Sequence, residues 1–149
     1  MTHLVRRFVG FLSARPLSPA EQAAVIAVLQ PDLSLLFFAQ PHQDQRHAVE
    51  VASRVAPHLA EAALTHDVGK TASRLGAVQR ACATIWGWAR LPAKGRWRLY
   101  LDHGNIGASM LKEAHASDLA IAFAAHHPGP TPPGIDARAW QELSAADDA

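Results

Sequence analysis

The sequence predicts an all-α protein folded as a single helical bundle, and three observations carry that prediction. Apolar residues recur at three- and four-residue spacing in one stretch after another, and no segment alternates with period two between hairpin turns. Apolar residues make up 49% and charged residues 18% of the 149 positions, which suits one buried core and not a disordered chain. Proline and glycine fall between the periodic stretches, where they would end helices.

The stripe Leu4, Phe8, Phe11 and Leu12 reads as a first helix, stopped by Arg15-Pro16. Ser18-Pro19-Ala20-Glu21 is a helix start: Ser18 as N-cap, Pro19 at the first helical position and Glu21 at the capping-box position. This second helix runs to about Gln30 with Ala24, Val25, Val28 and Leu29 inward. Pro31-Asp32 restarts the chain into Leu33-Ser34-Leu35-Leu36-Phe37-Phe38, a short segment apolar on most sides and expected to be buried. Asp44 is the expected N-cap of the next helix, which carries His47, Val49, Val51 and Val55 and ends near Pro57. A short helix from about Leu59 then leads to His66-Asp67, with Gly69 where it would stop.

A long helix over 75–90 has the stripe Leu75, Val78, Cys82, Ile85, Trp86 and Ala89, which would put Cys82 in the core. Leu91 to Gly95 is a loop within a basic patch of Arg90, Lys94, Arg96 and Arg98. After Tyr100-Leu101-Asp102 a helix turns Ile106, Gly107, Met110, Leu111 and Ala114 inward. Ser117-Asp118 caps another, running to His127. The proline-rich run from Pro128 to Gly134 admits neither helix nor central strand, and Ala137 to Asp148 forms a last helix with Trp140 and Leu143 inward.

The formal net charge of +1 points to no nucleic-acid or membrane partner, and no segment reads as a signal peptide or a membrane span. Cys82, the single cysteine, can form neither an internal disulfide nor a thiolate metal site. The expected location is the cytoplasm.

Leu64-Thr65-His66-Asp67-Val68-Gly69-Lys70 sets an imidazole and a carboxylate on consecutive residues. Adjacent helical residues point about 100° apart, so this pair converges only on something small and close, such as a metal ion. Taken alone, the pair is equally a helix end with a hydrogen-bonded histidine. The other metal-capable residues change the balance. His47, His103, His126-His127 and Asp147-Asp148 each fall on a different helix or helix end, and a bundle can gather such groups in its core. Imidazole and carboxylate donors without thiolate suit iron, manganese, zinc or nickel. His3, His42, His58 and His115 read as surface or packing residues, and Asp102 either orients His103 or caps a helix.

These residues resemble the HD-domain metal-dependent phosphohydrolase superfamily. The resemblance rests on His47, on Ala63 to Lys70, on His103-Gly104-Asn105-Ile106-Gly107-Ala108-Ser109-Met110-Leu111, on His126-His127 and on Ala146-Asp147. It implies one HD domain over residues 1–149, with its core over about 43–148 and a two-helix N-terminal extension over 1–40. It further implies that His47, His66, Asp67 and Asp147 hold one metal, and that Asp67 bridges to a second held by His103, His126 and His127. The cofactors would be two divalent transition-metal ions, iron or manganese first, with zinc, nickel and cobalt as alternatives.

Lys70, three residues after Asp67, would meet a substrate phosphate, with Arg74 and Arg96 as further substrate contacts. The implied activity is hydrolysis of a phosphoester or phosphoanhydride in a small nucleotide or dinucleotide by metal-activated hydroxide, with Asp67 and Lys70 as catalytic residues. The alternatives are a mononuclear nucleoside-monophosphate phosphatase and a non-catalytic metal- or nucleotide-binding regulatory module. Pro128 to Gly134 replaces the glutamate and Gly-Tyr-Pro of the HD-GYP branch, which argues against cyclic di-GMP.

Overall fold

The computed structural model describes residues 15–89 and 92–149, with Ala77, Ala81 and Trp88 described by backbone alone. The expected helix over Leu4 to Leu12 lies outside the described residues. Among those described, every regular element is helical, and no helix is long and apolar enough to cross a membrane.

The chain runs α1 (Pro19–Val28), α2 (Pro31–Phe38) and α3 (His42–Ala52), then a 3-10 turn (Pro57–Leu59), α4 (Ala60–Thr65) and a second 3-10 segment (Val68–Ser73). It continues through α5 (Ala77–Trp88), α6 (Gly95–Leu101), α7 (His103–Glu113), α8 (Asp118–His126) and α9 (Ala137–Asp148). The expected capping box is present: Ser18 Oγ accepts from the Glu21 amide and the Glu21 carboxylate accepts from the Ser18 amide. Arg46 ties α3 to α1 through Glu21 and through the carbonyls of Arg15 and Pro16. Ser117 caps α8 and Asp136 caps α9.

The short helix α4 is the centre of the fold. Ala60, Ala62, Ala63, Leu64 and Thr65 are all buried, and their small side chains let α3 and α8 pack closely on either side. Leu64 and Val68 join a cluster with Leu33, Phe37 and Leu111, while Leu59, Ala62 and Ala63 join a second with Phe123, Trp140 and Leu143. This helix, buried at every residue but Glu61, ends at the seam of the two clusters, and its C-cap is His66.

Several elements depart from the pattern-based expectation. On α1, Val25 and Leu29 face inward, but Ala24 and Val28 are exposed. On α2, Leu33 and Phe37 are buried while Leu35 is 71% exposed. Pro41, not Asp44, is the N-cap of α3; Asp44 sits inside the first turn, buried against Arg80 at 2.6 and 2.8 Å. The stretch 95–101 forms the short helix α6.

The largest departure is α5. Its apolar stripe faces outward: Val78, Ile85 and Trp86 are 63%, 61% and 39% exposed, and Cys82 is exposed with them. The inward face carries Ala83 and Arg80 instead. Periodicity shows that a helix has an apolar side, but the buried pairing of Arg80 with Asp44 decides which side turns in.

Gly69 is not a helix terminator. The α-helix ends at Thr65, and the left-handed residue that turns the chain is Arg74, with φ 48°. A Cβ at Gly69 would run into the His103 carbonyl oxygen and stand 2.5 Å from the Gly107 nitrogen. Gly69 and Gly107 therefore let the segment after His66-Asp67 lie against α7, next to His103.

Candidate metal centre

Six of the expected ligands converge where α4 ends. His47 comes from α3, His66 and Asp67 from the end of α4, His103 from the start of α7, His127 from the end of α8 and Asp147 from the last turn of α9. Their donor atoms form three overlapping groups, each within 4.8 Å: His47, His66 and Asp67; Asp67, His103 and His127; His66, His127 and Asp147. His126 lies apart from them. It is exposed at the last residue of α8, where consecutive side chains diverge, so that His127 turns in and His126 turns out.

The two oxygens of Asp67 face different partners. Oδ2 lies 3.4 Å from His66 Nε2, and Oδ1 lies 3.6 Å from His103 Nε2 and 3.8 Å from His127 Nε2. On the other side of His66, Asp147 Oδ1 is 3.5 Å from its Nε2 and 2.8 Å from His47 Nε2. Asp148 is exposed.

Three imidazoles are oriented by the main chain. His66 Nδ1 donates to the Ala63 carbonyl at 2.8 Å, His103 Nδ1 to Tyr100 at 2.7 Å and His127 Nδ1 to Phe123 at 2.7 Å. Each bond fixes the ring and leaves Nε2 turned toward Asp67, which is how metal-ligating histidines are held. Phe123 also stacks on His127 with centroids 5.0 Å apart, and Tyr100 on His103 at 5.8 Å. Asp102 does not orient His103; its carboxylate accepts from Asn105. The carbonyl partners were not anticipated from sequence, although each lies three or four residues before its histidine, within one helical turn.

Four buried side-chain atoms have no hydrogen-bond partner among the described residues; besides Gln40 Oε1 and Ser144 Oγ, two belong to this centre, His66 Nε2 and Asp67 Oδ1. Buried polar atoms are normally satisfied, and leaving one unpaired costs roughly 1–3 kcal/mol. The two atoms of the centre are strong metal donors, and both point to the place where the other imidazoles converge. The donor set therefore fits a divalent cation.

The electrostatics agree. Burial works against charge on His66, yet Asp67, with Asp147 behind it, lifts its pKa to about 10. Burial likewise opposes ionisation of Asp67, but Lys70 and His66 hold its carboxyl well below the usual range. Burial and then the charge of Lys70 lower His103, while burial and the charge of His66 bring His127 down to about 4. Two anionic carboxylates thus sit with neutral His103 and His127, and the ammonium of Lys70 and a proton on His66 supply the balancing positive charges.

Lys70 Nζ donates to Asp67 Oδ2, and Asp67 outweighs the effect of burial to raise the lysine pKa. Lys70 and the centre open into a cavity of about 600 Å³ whose other walls include Tyr100, Leu101 and Pro128. Arg74 and Arg96 do not line it. Arg74 has a left-handed backbone and an exposed side chain, and Arg96 Nε donates to the Ser73 carbonyl at 2.7 Å. Compared with known proteins, the chain matches no family model, no curated protein and no solved structure.

Proposed function

We propose that the chain is a metal-dependent phosphohydrolase of the HD type that cleaves a phosphoester or phosphoanhydride bond in a small nucleotide or dinucleotide. The observation that carries the reading is the division of Asp67, one oxygen facing His66 and the other facing His103 and His127. A carboxylate shared in this way suits two cations roughly 3.5–4 Å apart, because its charge offsets their repulsion. His47, His66, Asp67 and Asp147 are the proposed donors to one ion, and Asp67, His103 and His127 to the other. Iron or manganese suits this donor set, with zinc, nickel and cobalt as alternatives. Bound there, the ions would supply Lewis acidity toward phosphoryl oxygens and lower the pKa of a water molecule.

The chain's own contribution is positioning and charge. Lys70, kept protonated by Asp67, offers an ammonium to a phosphoryl oxygen at the cavity wall. Tyr100, Leu101 and Pro128 give the uncharged part of a substrate an apolar surface. The group His47, His66 and Asp67, with Asp147 beside it, also suits a second reading, a single ion and a nucleoside-monophosphate phosphatase.

The test is elemental analysis of anaerobically purified protein alongside turnover on a panel of nucleotides and dinucleotides. Two metal equivalents with turnover support the dinuclear hydrolase, and one equivalent supports the mononuclear enzyme. Metal without turnover indicates a regulatory module, and protein that binds no metal removes the basis of the reading.

A further inference from the structure

We infer that helices α5 and α6 form a docking face for a membrane surface with anionic headgroups, independently of the metal centre. The net charge of +1 conceals a strong segregation: all thirteen Asp and Glu lie outside residues 68–101, which hold seven of the fourteen Lys and Arg. Two of the seven, Lys70 and Arg80, turn inward onto Asp67 and Asp44. Arg74, Lys94, Arg96 and Arg98 are exposed, and Arg96 is held beside Arg74 by its bond to the Ser73 carbonyl.

The same two helices carry four large exposed apolar side chains outside the cavity wall: Val78, Ile85 and Trp86 on α5 and Leu99 on α6. The helices lie side by side, with Trp86 edge-on to Trp97 at 5.4 Å and Leu101 against Gly87. The outward stripe cannot be buried by rolling α5. Arg80, 6% exposed, holds Asp44 through Nη1 and the Leu75 carbonyl through Nε. Rolling the helix would break those bonds and leave Asp44 charged and unpaired in the interior, which is strongly unfavourable.

Charge decides among the occupants. A second copy docking symmetrically would set the exposed Arg74, Lys94, Arg96 and Arg98 against the same four cations. Residues 1–14 contain Arg6 and Arg7 and no acid, so they repel these cations too. A nucleic acid would satisfy the cations but not the aliphatic Val78, Ile85 and Leu99. An anionic lipid surface satisfies both: tryptophan and aliphatic side chains enter the boundary between headgroups and acyl chains, and Lys and Arg meet the headgroups.

The test is co-sedimentation of the full chain with phosphatidylcholine vesicles and with vesicles that also contain phosphatidylglycerol. The expected result is binding to the anionic vesicles alone, weakened by salt, with tryptophan emission shifted to the blue. Ile85→Asp should lower partitioning at least about tenfold and Arg98→Gln about fivefold. Ile26→Asp, at another exposed aliphatic position on α1, should change it little. Circular dichroism confirms that each variant folds. Equal binding to neutral vesicles, or no binding to either, overturns the proposal. So does salt-dependent nucleic-acid binding that ignores Ile85→Asp, or self-association that Ile85→Asp abolishes.

Discussion

His66 Nε2 stands 3.4 Å from Asp67 Oδ2, although side chains of consecutive helical residues ordinarily diverge. They converge because the helix ends between them: His66 keeps helical angles as C-cap of α4, while Asp67 opens to φ −104° and ψ 5°. The carboxylate swings back under the imidazole and leaves its second oxygen for His103 and His127. Asp67→Ala should therefore abolish binding at both proposed metal positions, whereas Asp148→Ala should leave metal content unchanged. Elemental analysis of the two variants decides, and an Asp67→Ala protein with two metal equivalents would sink the bridged arrangement.

The two histidines at the end of α8 should behave differently. His127→Ala, like His103→Ala, is expected to lose one metal equivalent and most turnover while keeping its helical content. His126→Ala should match the unaltered protein in both respects, since His126 is exposed. A loss of metal on His126→Ala would mean that the end of α8 rearranges on binding.

The pH dependence of the metal-free protein follows from three histidines, His103 being lowered from 6.5 in the same sense as His127. His66 is raised from 6.5 to about 10, so its contribution is full below pH 6.5 and disappears as pH rises through about 10. His127 is lowered from 6.5 to about 4, so it penalises the folded state as pH falls from 6.5 toward 4. The melting temperature without metal should peak near pH 6.5 and decline on both sides. Metal must displace the proton on His66, so binding near neutral pH should release about one proton from that residue. Calorimetry in buffers of unequal ionisation enthalpy measures it. Heats independent of buffer would mean that His66 either holds no proton or does not bind the metal.

Gly69→Ala tests the close approach of the second 3-10 segment to α7. The added Cβ meets backbone, which cannot swing aside as a side chain can, and a cost of about 1–3 kcal/mol is expected. His103 should move with its helix, so metal affinity at the His103–His127 position should fall more than at the His47–Asp147 position. Calorimetric titration of the folded variant separates the two, and equal loss at both would indicate general destabilisation.

Lys70→Ala should leave metal content unchanged and lower kcat, by up to about 2–4 kcal/mol in activation free energy for a preorganised donor. Arg96→Ala should leave kcat near its original value, because Arg96 lies outside the cavity wall and is bonded to the Ser73 carbonyl. Steady-state kinetics on any substrate found in the nucleotide panel distinguishes them. Unaltered kcat in Lys70→Ala would leave that lysine only its ion pair with Asp67.

Local chemistry made part of this fold readable in advance. The Ser18 capping box, the Ser117 cap and the helix over Ala137 to Asp148 depend on residues within one turn of each other. His66, His103 and His126-His127 were visible because they punctuate helix ends, and His47 because it lies within a helix of its own. What stayed hidden depends on contacts far along the chain. Arg80 looks like a solvated residue until Asp44, 36 positions earlier, neutralises it and turns the apolar stripe of α5 outward. Gly69 looks like a helix stop until the backbone of α7 lies against it. His126 and His127 are indistinguishable until the last turn of α8 directs one in and the other out.

The carbonyls that orient His66, His103 and His127 belong to the peptide units of Ala63, Tyr100 and Phe123. A carbonyl oxygen is present whatever side chain the position carries, so no substitution there deletes the acceptor while the helix keeps its path. Aromatic stacking at positions 100 and 123 can be lost and imidazole orientation retained. The inheritance of this centre is thus divided: the donors are written in side chains and tolerate almost no exchange, while their supports are written in helix geometry. A lineage could replace much of the surrounding sequence and keep the same arrangement of donors.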